Sequence, residues 1–304
     1  GALPADAPFD WDEVRRFNSL MVKQWWLHNA PGSDAMPPLA WHDHAAALRF
    51  SNLFRWAVWK SIQGSNQADL EIELELIENH AQWLLDEENY TRKTNHGFEQ
   101  AWILLEFGLG LPDLPTARKA REVATQRVND ELAFAFTPQG VHKENSPGYH
   151  LFMIRRVERL QSMLASYGHK LDIDLASLSH KAGEYLNAVA SSDGSLPLIG
   201  DTQLTQKQKE DVLRRRASRS VPWRAGLVTN FDYTDSGYFV SWIADRAQEG
   251  LCQLLVKNSH RSSYHRHDDD LSIHLTCNDE VIIGDSGALG HNEREPLRRY
   301  LRSP

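Results

Sequence analysis

The stretch Thr137–His150, TPQGVHKENSPGYH, is where the chain changes character. Gly140, Asn145, Ser146, Pro147 and Gly148 interrupt any regular element. The same stretch carries His142, Glu144, Tyr149 and His150. It ends at an apolar periodic run, Leu151 to Leu164, whose spacing predicts a helix. Tyr149 and His150 are therefore expected at or near a helix N-terminus, presented by a loop. The positive end of the helix dipole favours an anion there, a phenolate included. A lone tyrosine in such a place more often packs its ring and bonds its hydroxyl. The chemical case rests on polar clusters before and after it.

Working outward toward the N-terminus, the pattern is helical. Val14, Phe17, Leu20, Met21 and Trp25 have helical spacing, and Pro31–Pro38 reads as a loop. Helices are predicted from about His44 to Ile62, from Glu71 to Asp86, from the end of the Tyr90–Gln100 run to Leu109, and from Thr116 to Phe136. Gly110 and Pro112 close the third of these. His42 and His44 read as cap and surface residues rather than ligands. Toward the C-terminus, Leu151–Tyr167 and Leu175–Ala190 are two more helices. Helices thus recur roughly every 30–40 residues as far as Arg219, the spacing of stacked helical hairpins in a solenoid or a closed toroid.

The texture changes after Val221-Pro222-Trp223. Short runs begin at Leu227, Gly237, Leu251, Leu271 and Glu280, bounded by Gly, Asn and Asp turns, and read as antiparallel strands of a sandwich. The expected fold is thus multi-domain, α then β. An N-terminal (α/α) toroid spans residues 1–225, and the first part of an antiparallel β-sandwich spans 226–304, with the sandwich cut short.

Composition sets bounds on function. A chain of 304 residues is long enough for two domains. A net charge of −8 gives no basic field for nucleic acid. No apolar run reaches transmembrane length, and no signal-peptide pattern is read. The 10 tryptophans are many for this length; most are expected in the core, and aromatic platforms also suit sugar rings. Cys252 and Cys277, the only cysteines, are too few for a disulfide scaffold or a thiolate zinc site, and whether they pair across neighbouring strands is open at this level.

Two further clusters flank the opening stretch. In Asn95-His96-Gly97-Phe98-Glu99, a helix starting here puts His96 and Glu99 on one face, where a carboxylate raises an imidazole pKa and fixes its tautomer. An Asn cap beside a surface His–Glu pair accounts for the same residues. In His265-Arg-His267-Asp-Asp269-Asp, a strand would point His265, His267 and Asp269 to one side, a plausible start to a metal site. Asp285, in Gly-Asp-Ser-Gly, adds an oxygen ligand. The competing reading is a charged turn.

Taken in order, NHGFE at 95–99, GVHKENSPGYH at 140–150, LPLIGD at 196–201, HRHDDDLS at 265–272 and GDSG at 284–287 resemble the heparinase II/III-like polysaccharide lyases and the related alginate lyases, over roughly residues 40–304. The resemblance implies an (α/α) toroid followed by a β-sandwich, and β-elimination on uronic-acid polysaccharides. It implies Tyr149 as the catalytic tyrosine, Asn95 and His96 as binders of the uronate carboxylate, and Glu99 as a partner of that histidine. It implies His265 as a second catalytic histidine, and His267 and Asp285 as two ligands of a structural metal, most often zinc, whose third ligand is a histidine beyond Ser303-Pro304. An anionic polysaccharide is the implied partner, and a periplasmic or secreted location is implied as well.

The chemistry asks for a neutraliser of the uronate carboxylate, a base for the α-proton and an acid for the departing glycosidic oxygen. Asn95, His96, Tyr149 and His265 are expected to share one cleft and fill these roles. Three alternatives remain at this level: a glycoside hydrolase using carboxylates such as Glu99 and Glu144, a non-catalytic polysaccharide-binding or biosynthesis-accessory protein, and a metal-dependent hydrolase centred on His265, His267 and Asp285.

Overall fold

A computed structural model describes residues 10–30, 37, 39–66, 68–247, 250–288 and 295–302. The expected Pro31–Pro38 loop, apart from Pro37, and Ser303-Pro304 lie outside the described residues. Among the described residues, eight α-helices precede a five-stranded antiparallel sheet, and a short helix, α9 (Pro296–Arg302), follows it. The chain divides into two compact units, 1–131 and 132–304, so the division falls inside α5 (Ala117–Ala135).

The first unit contains α1 (Trp11–Asn29), α2 (Asp43–Ile62), α3 (Glu71–Leu85), α4 (Asn95–Gly110) and most of α5. Phe50 and Phe54 of α2, Leu76 and Ile77 of α3, and Leu104 and Phe107 of α4 are buried. Phe50 lies 5.0 Å from Phe107 and meets Phe54 edge-on at 5.4 Å. Side chains satisfy the end of α3 and the start of α1. Arg127 of α5 donates to the Leu84 and Leu85 carbonyls at the end of α3 and pairs with Glu87. Asp10 caps α1 through the Asp12 and Glu13 N–H groups.

The second unit begins in the last turn of α5. It holds α6 (Pro147–Tyr167), α7 (Leu175–Val189), α8 (Gln206–Ala217) and strands β1 (Val228–Tyr233), β2 (Tyr238–Ala244), β3 (Leu251–Lys257), β4 (Ser272–Cys277) and β5 (Glu280–Ile283). The strands form a meander in sequence order. Helix gives way to strand between Ala217 and Val228, close to residue 225. Compactness nevertheless groups α6–α8 with the sheet, because α7 packs on it. Trp242 Nε1 and Gln253 Nε2 both donate to the Ala188 carbonyl, and Tyr185 meets Tyr233 and Tyr238 edge-on. Among the described residues the expected sandwich is represented by this one sheet. Cys252 and Cys277 face each other in the β3–β4 register and form a disulfide.

For the His265–Asp270 run the structure takes the competing reading, a turn between strands: residues 258–271 are a loop, so His265, His267 and Asp269 do not share a strand face. Three consecutive aspartates next to two histidines disfavour a ladder, and His265 takes a left-handed φ of 50°. The loop is held by Lys257, fully buried at the end of β3, which pairs with Asp269.

Candidate active site

In the first unit, Asn95 and His96 occupy the opening turn of α4. Thr94 caps this helix, its hydroxyl accepting from the Gly97 N–H. The loop before it is pinned by buried polar groups: Glu131 accepts from the Tyr90 hydroxyl and the Lys93 N–H, and Gln100 accepts from the Thr91 N–H and donates to the Asn89 carbonyl. Gly97 packs so close to this loop that a Cβ there would lie 2.2 Å from the Thr91 carbonyl oxygen.

His96 stacks on His44, ring centroids 4.3 Å apart, and its Nδ1 lies 3.2 Å from an Asp43 oxygen. Asp43 also accepts from the Thr91 hydroxyl. Burial pushes the Asp43 carboxyl up, but hydrogen bonds from Thr91, the His44 N–H and His96 outweigh it and hold the group below the usual carboxylate range. Glu99, expected as the partner of His96, is buried and hydrogen-bonds His44 Nε2. His44, read from sequence as a surface residue, thus belongs to the cluster, and Asp43 was missed. Only the recurrence of histidines at 42, 44 and 96 signalled them.

In the second unit, Ser146 caps α6 by accepting from the Tyr149 N–H, and Pro147 opens the helix. Tyr149 is therefore in the first turn, as its loop setting predicts. Its ring stacks on His265 at 3.6 Å between centroids and 20° between planes. His265 Nδ1 donates to Asp201 Oδ2 at 2.9 Å, and Nε2 lies 3.5 Å from Glu144 Oε2. The other oxygen of Asp201 accepts from His267 Nε2 at 2.9 Å. Burial raises the Glu144 carboxyl, and His265 partly offsets this.

His142 and His150, which share the opening stretch, play a different part. Both are buried, and burial pushes both imidazoles down, His150 to about 4. His150 accepts from the His142 N–H through Nδ1 and bonds the Ala182 carbonyl through Nε2, which fixes it as a neutral tautomer. These two histidines build the loop.

The segment Leu196–Thr202 holds the site together. Thr202 Oγ1 bonds Ser146 Oγ and accepts from the Gly148 N–H, so it braces the start of α6. Gly200 has φ of +56°, and a Cβ on it would lie 2.5 Å from the Asn145 carbonyl oxygen and 2.7 Å from that of His265. Asn145 in turn donates to the Ser262 and Tyr264 carbonyls and accepts from the Arg261 N–H. Three loops meet at a glycine. Asp201, one residue on, lies inside the LPLIGD motif, yet nothing in its spacing reveals that it joins two histidines.

His267 is buried, and its Nδ1 has no hydrogen-bond partner among the described residues. Its Nε2 is anchored on a carboxylate, the usual support of a metal-binding imidazole. Burial raises the Asp285 carboxyl, and the hydrogen bond it accepts from the Gly287 N–H partly offsets this. Among the described residues no group of three or more His, Cys, Asp or Glu is arranged to hold a metal.

Helices followed by an antiparallel sheet, with a tyrosine–histidine stack seated among carboxylates at a helix start, define an α-then-β class of protein. The family model for the heparinase II/III N-terminus matches residues 14–221, more than half of the chain, and the chain belongs to that family. Among solved structures, the heparan sulfate lyase HepC from Pedobacter heparinus is similar at 16% identity and a TM-score of 0.74, over 97% of this chain and 49% of that one. A heparinase III structure is similar at 19% identity and 0.70, over 96% and 50%. The chain spans about half the length of these structures. A comparison with curated protein sequences gives no match.

Proposed function

We propose that the protein is a polysaccharide lyase that cleaves a uronic-acid-containing polysaccharide by β-elimination, leaving an unsaturated uronate end. The observation that carries this reading is the stack of Tyr149 on His265, with Asp201 and Glu144 on the two imidazole nitrogens. Elimination needs one group to take the proton α to the carboxylate while the C4–C5 double bond forms. A second group must give a proton to the glycosidic oxygen as its bond to C4 breaks. Tyr149 is the proton-transfer phenol. Asp201 holds His265 in the Nδ1–H tautomer, which leaves Nε2 to exchange a proton. Asn95 and His96 take the uronate carboxylate, whose negative charge grows in the transition state. The names of the similar structures support a glycosaminoglycan as the substrate class.

A structural divalent ion, zinc by its donor types, is part of the proposal. His267 Nδ1 and Asp285 would hold it and so stiffen the loop that carries His265.

The test is a panel of uronic-acid polymers assayed for ultraviolet-absorbing unsaturated ends. Tyr149→Phe keeps the ring and removes only the transferable proton, so turnover should fall by about two to four orders of magnitude. Near-normal elimination by that variant would make Tyr149 structural. One observation favours a second reading. Glu144, raised by burial, suits the acid of a glycoside hydrolase that also uses Glu99. That enzyme would release saturated ends.

A further inference from the structure

A second cleft in the 132–304 unit shares no residue with the tyrosine–histidine site. It has an inner chamber of about 100 Å³ and an outer vestibule of about 720 Å³, joined where Asn187, Ser218 and Arg219 line both. The chamber is bounded by α6, α7 and α8, and the vestibule by α7, the 218–224 segment and edge strand β1.

The cleft carries polar groups that folding leaves without partners. Arg216, 8% exposed, donates through Nη1 to the Ala190 and Ser191 carbonyls, while its Nη2 is buried with no hydrogen bond. Asn187 donates to the Ser220 carbonyl, and its Oδ1 is buried and unpaired. A buried guanidinium with no carboxylate on it is costly. Burial lowers the Arg216 pKa only to about 10, so it remains charged at neutral pH.

Arg219, at the neck, donates its backbone N–H to the Arg216 carbonyl, while its side chain makes no hydrogen bond or ion pair among the described residues. Its guanidinium lies against Gly183, where an added Cβ would sit 2.1 Å from Nη2. Glycine inside a helix is less favourable than alanine, and at position 183 it makes room for a cation. Opposite, alternate residues of β1 face the vestibule and present the half-buried rings of Phe231 and Tyr233.

We infer that this cleft is a second saccharide-binding site, which takes an acidic sugar residue of the polymer proposed above. Arg219 and Arg216 Nη2 receive its carboxylate or sulfate, Asn187 Oδ1 receives a hydroxyl, and Phe231 and Tyr233 lie under the ring. The occupant is acidic because the cleft offers unpaired guanidinium groups, while its acids are engaged: Glu158 with Arg215, and Glu184 with His180. The inference rests on the reading of the substrate as a uronic-acid polymer.

The test uses the Tyr149→Phe chain, to prevent turnover, labelled with 5-fluorotryptophan. Trp223 lines the vestibule, and its fluorine signal is assigned with Trp223→Phe. Titration with heparan sulfate or alginate tetrasaccharides should shift that signal, and uncharged cellotetraose should not. Adding Arg219→Gln should weaken the effect about tenfold, the loss of one good charged contact, and Arg219→Lys should restore part of it. A Trp223 signal unmoved by every acidic tetrasaccharide, or moved equally in Arg219→Gln, overturns the second site. Unsaturated product from the unsubstituted chain is measured separately. Its absence with an intact Trp223 shift would fell the lyase reading and leave the cleft standing.

Discussion

Asp201 is 4% exposed and spends one oxygen on each of two histidines. Asn at that position keeps the shape but offers one acceptor where two are needed, and its NH2 faces an imidazole N–H. His265 would lose its tautomer lock, or His267 its anchor. Elimination should fall by about tenfold or more, and stability by about 1–3 kcal/mol, the cost of a buried group left unpaired. Both are measurable, by initial rate and by urea unfolding. Wild-type rates in Asp201→Asn would show that the carboxylate only fills space. Sequence made Tyr149 and His265 candidates because tyrosine at a helix start and a His-x-His run are patterns in one dimension. Asp201 and Asp43 were not legible in that way. Their roles exist only where separate segments touch.

At the scale of elements, the start of α6 depends on a neighbour. Gly200 admits the backbones of Asn145 and His265 at distances where no side chain fits. Gly200→Ala adds overpacking to a disfavoured left-handed φ, and should cost about 2–4 kcal/mol. Activity should fall with it, because the loops bearing Tyr149 and His265 are forced apart. Gly168→Ala is the control. Its φ is also positive, at 63°, but nothing lies within 4 Å, so it should cost about 1 kcal/mol and leave activity alone. Equal thermal shifts in the two variants would remove the argument. Helices α4, α6 and α7 were legible because each has an apolar stripe and a capping residue: Thr94, Ser146 and Asp174 respectively. The run at 265–270 stays ambiguous between strand and turn in one dimension because alternation in charged residues imitates a pleat. Its real constraint is the buried pair of Lys257 and Asp269, which alternation does not encode.

At the scale of the molecule, buried histidines shape the response to acid. Burial lowers His80 to about 3, helped by the adjacent Arg49; it lowers His150 to about 4, and it lowers His142 and His274 as well. Each folded pKa lies below the ordinary 6.5. The unfolded chain therefore binds protons first, and the stability these groups contribute is full above pH 6.5 and drains as pH falls toward 4. His150 alone is worth about 3 kcal/mol across that window. Glu131 and Glu144, raised by burial, act in the opposite sense and recover part of the loss at the acid end. Urea midpoints should drop steadily from pH 7 to pH 5. A flat profile would mean that these imidazoles are hydrated. The helix-then-strand order could be read from hydrophobic period alone. The grouping of α6–α8 with the sheet could not, because it comes from contacts such as Trp242 on Ala188.

The Cys252–Cys277 bridge joins the far ends of β3 and β4, and the loop carrying His265 connects their near ends. A cut after the exposed Arg261 therefore opens a covalent ring rather than severing the chain. Trypsin-nicked protein should run as a single band on a denaturing gel until a thiol is added, and then part into two pieces. A nicked form could thus pass for intact through any purification judged without reductant.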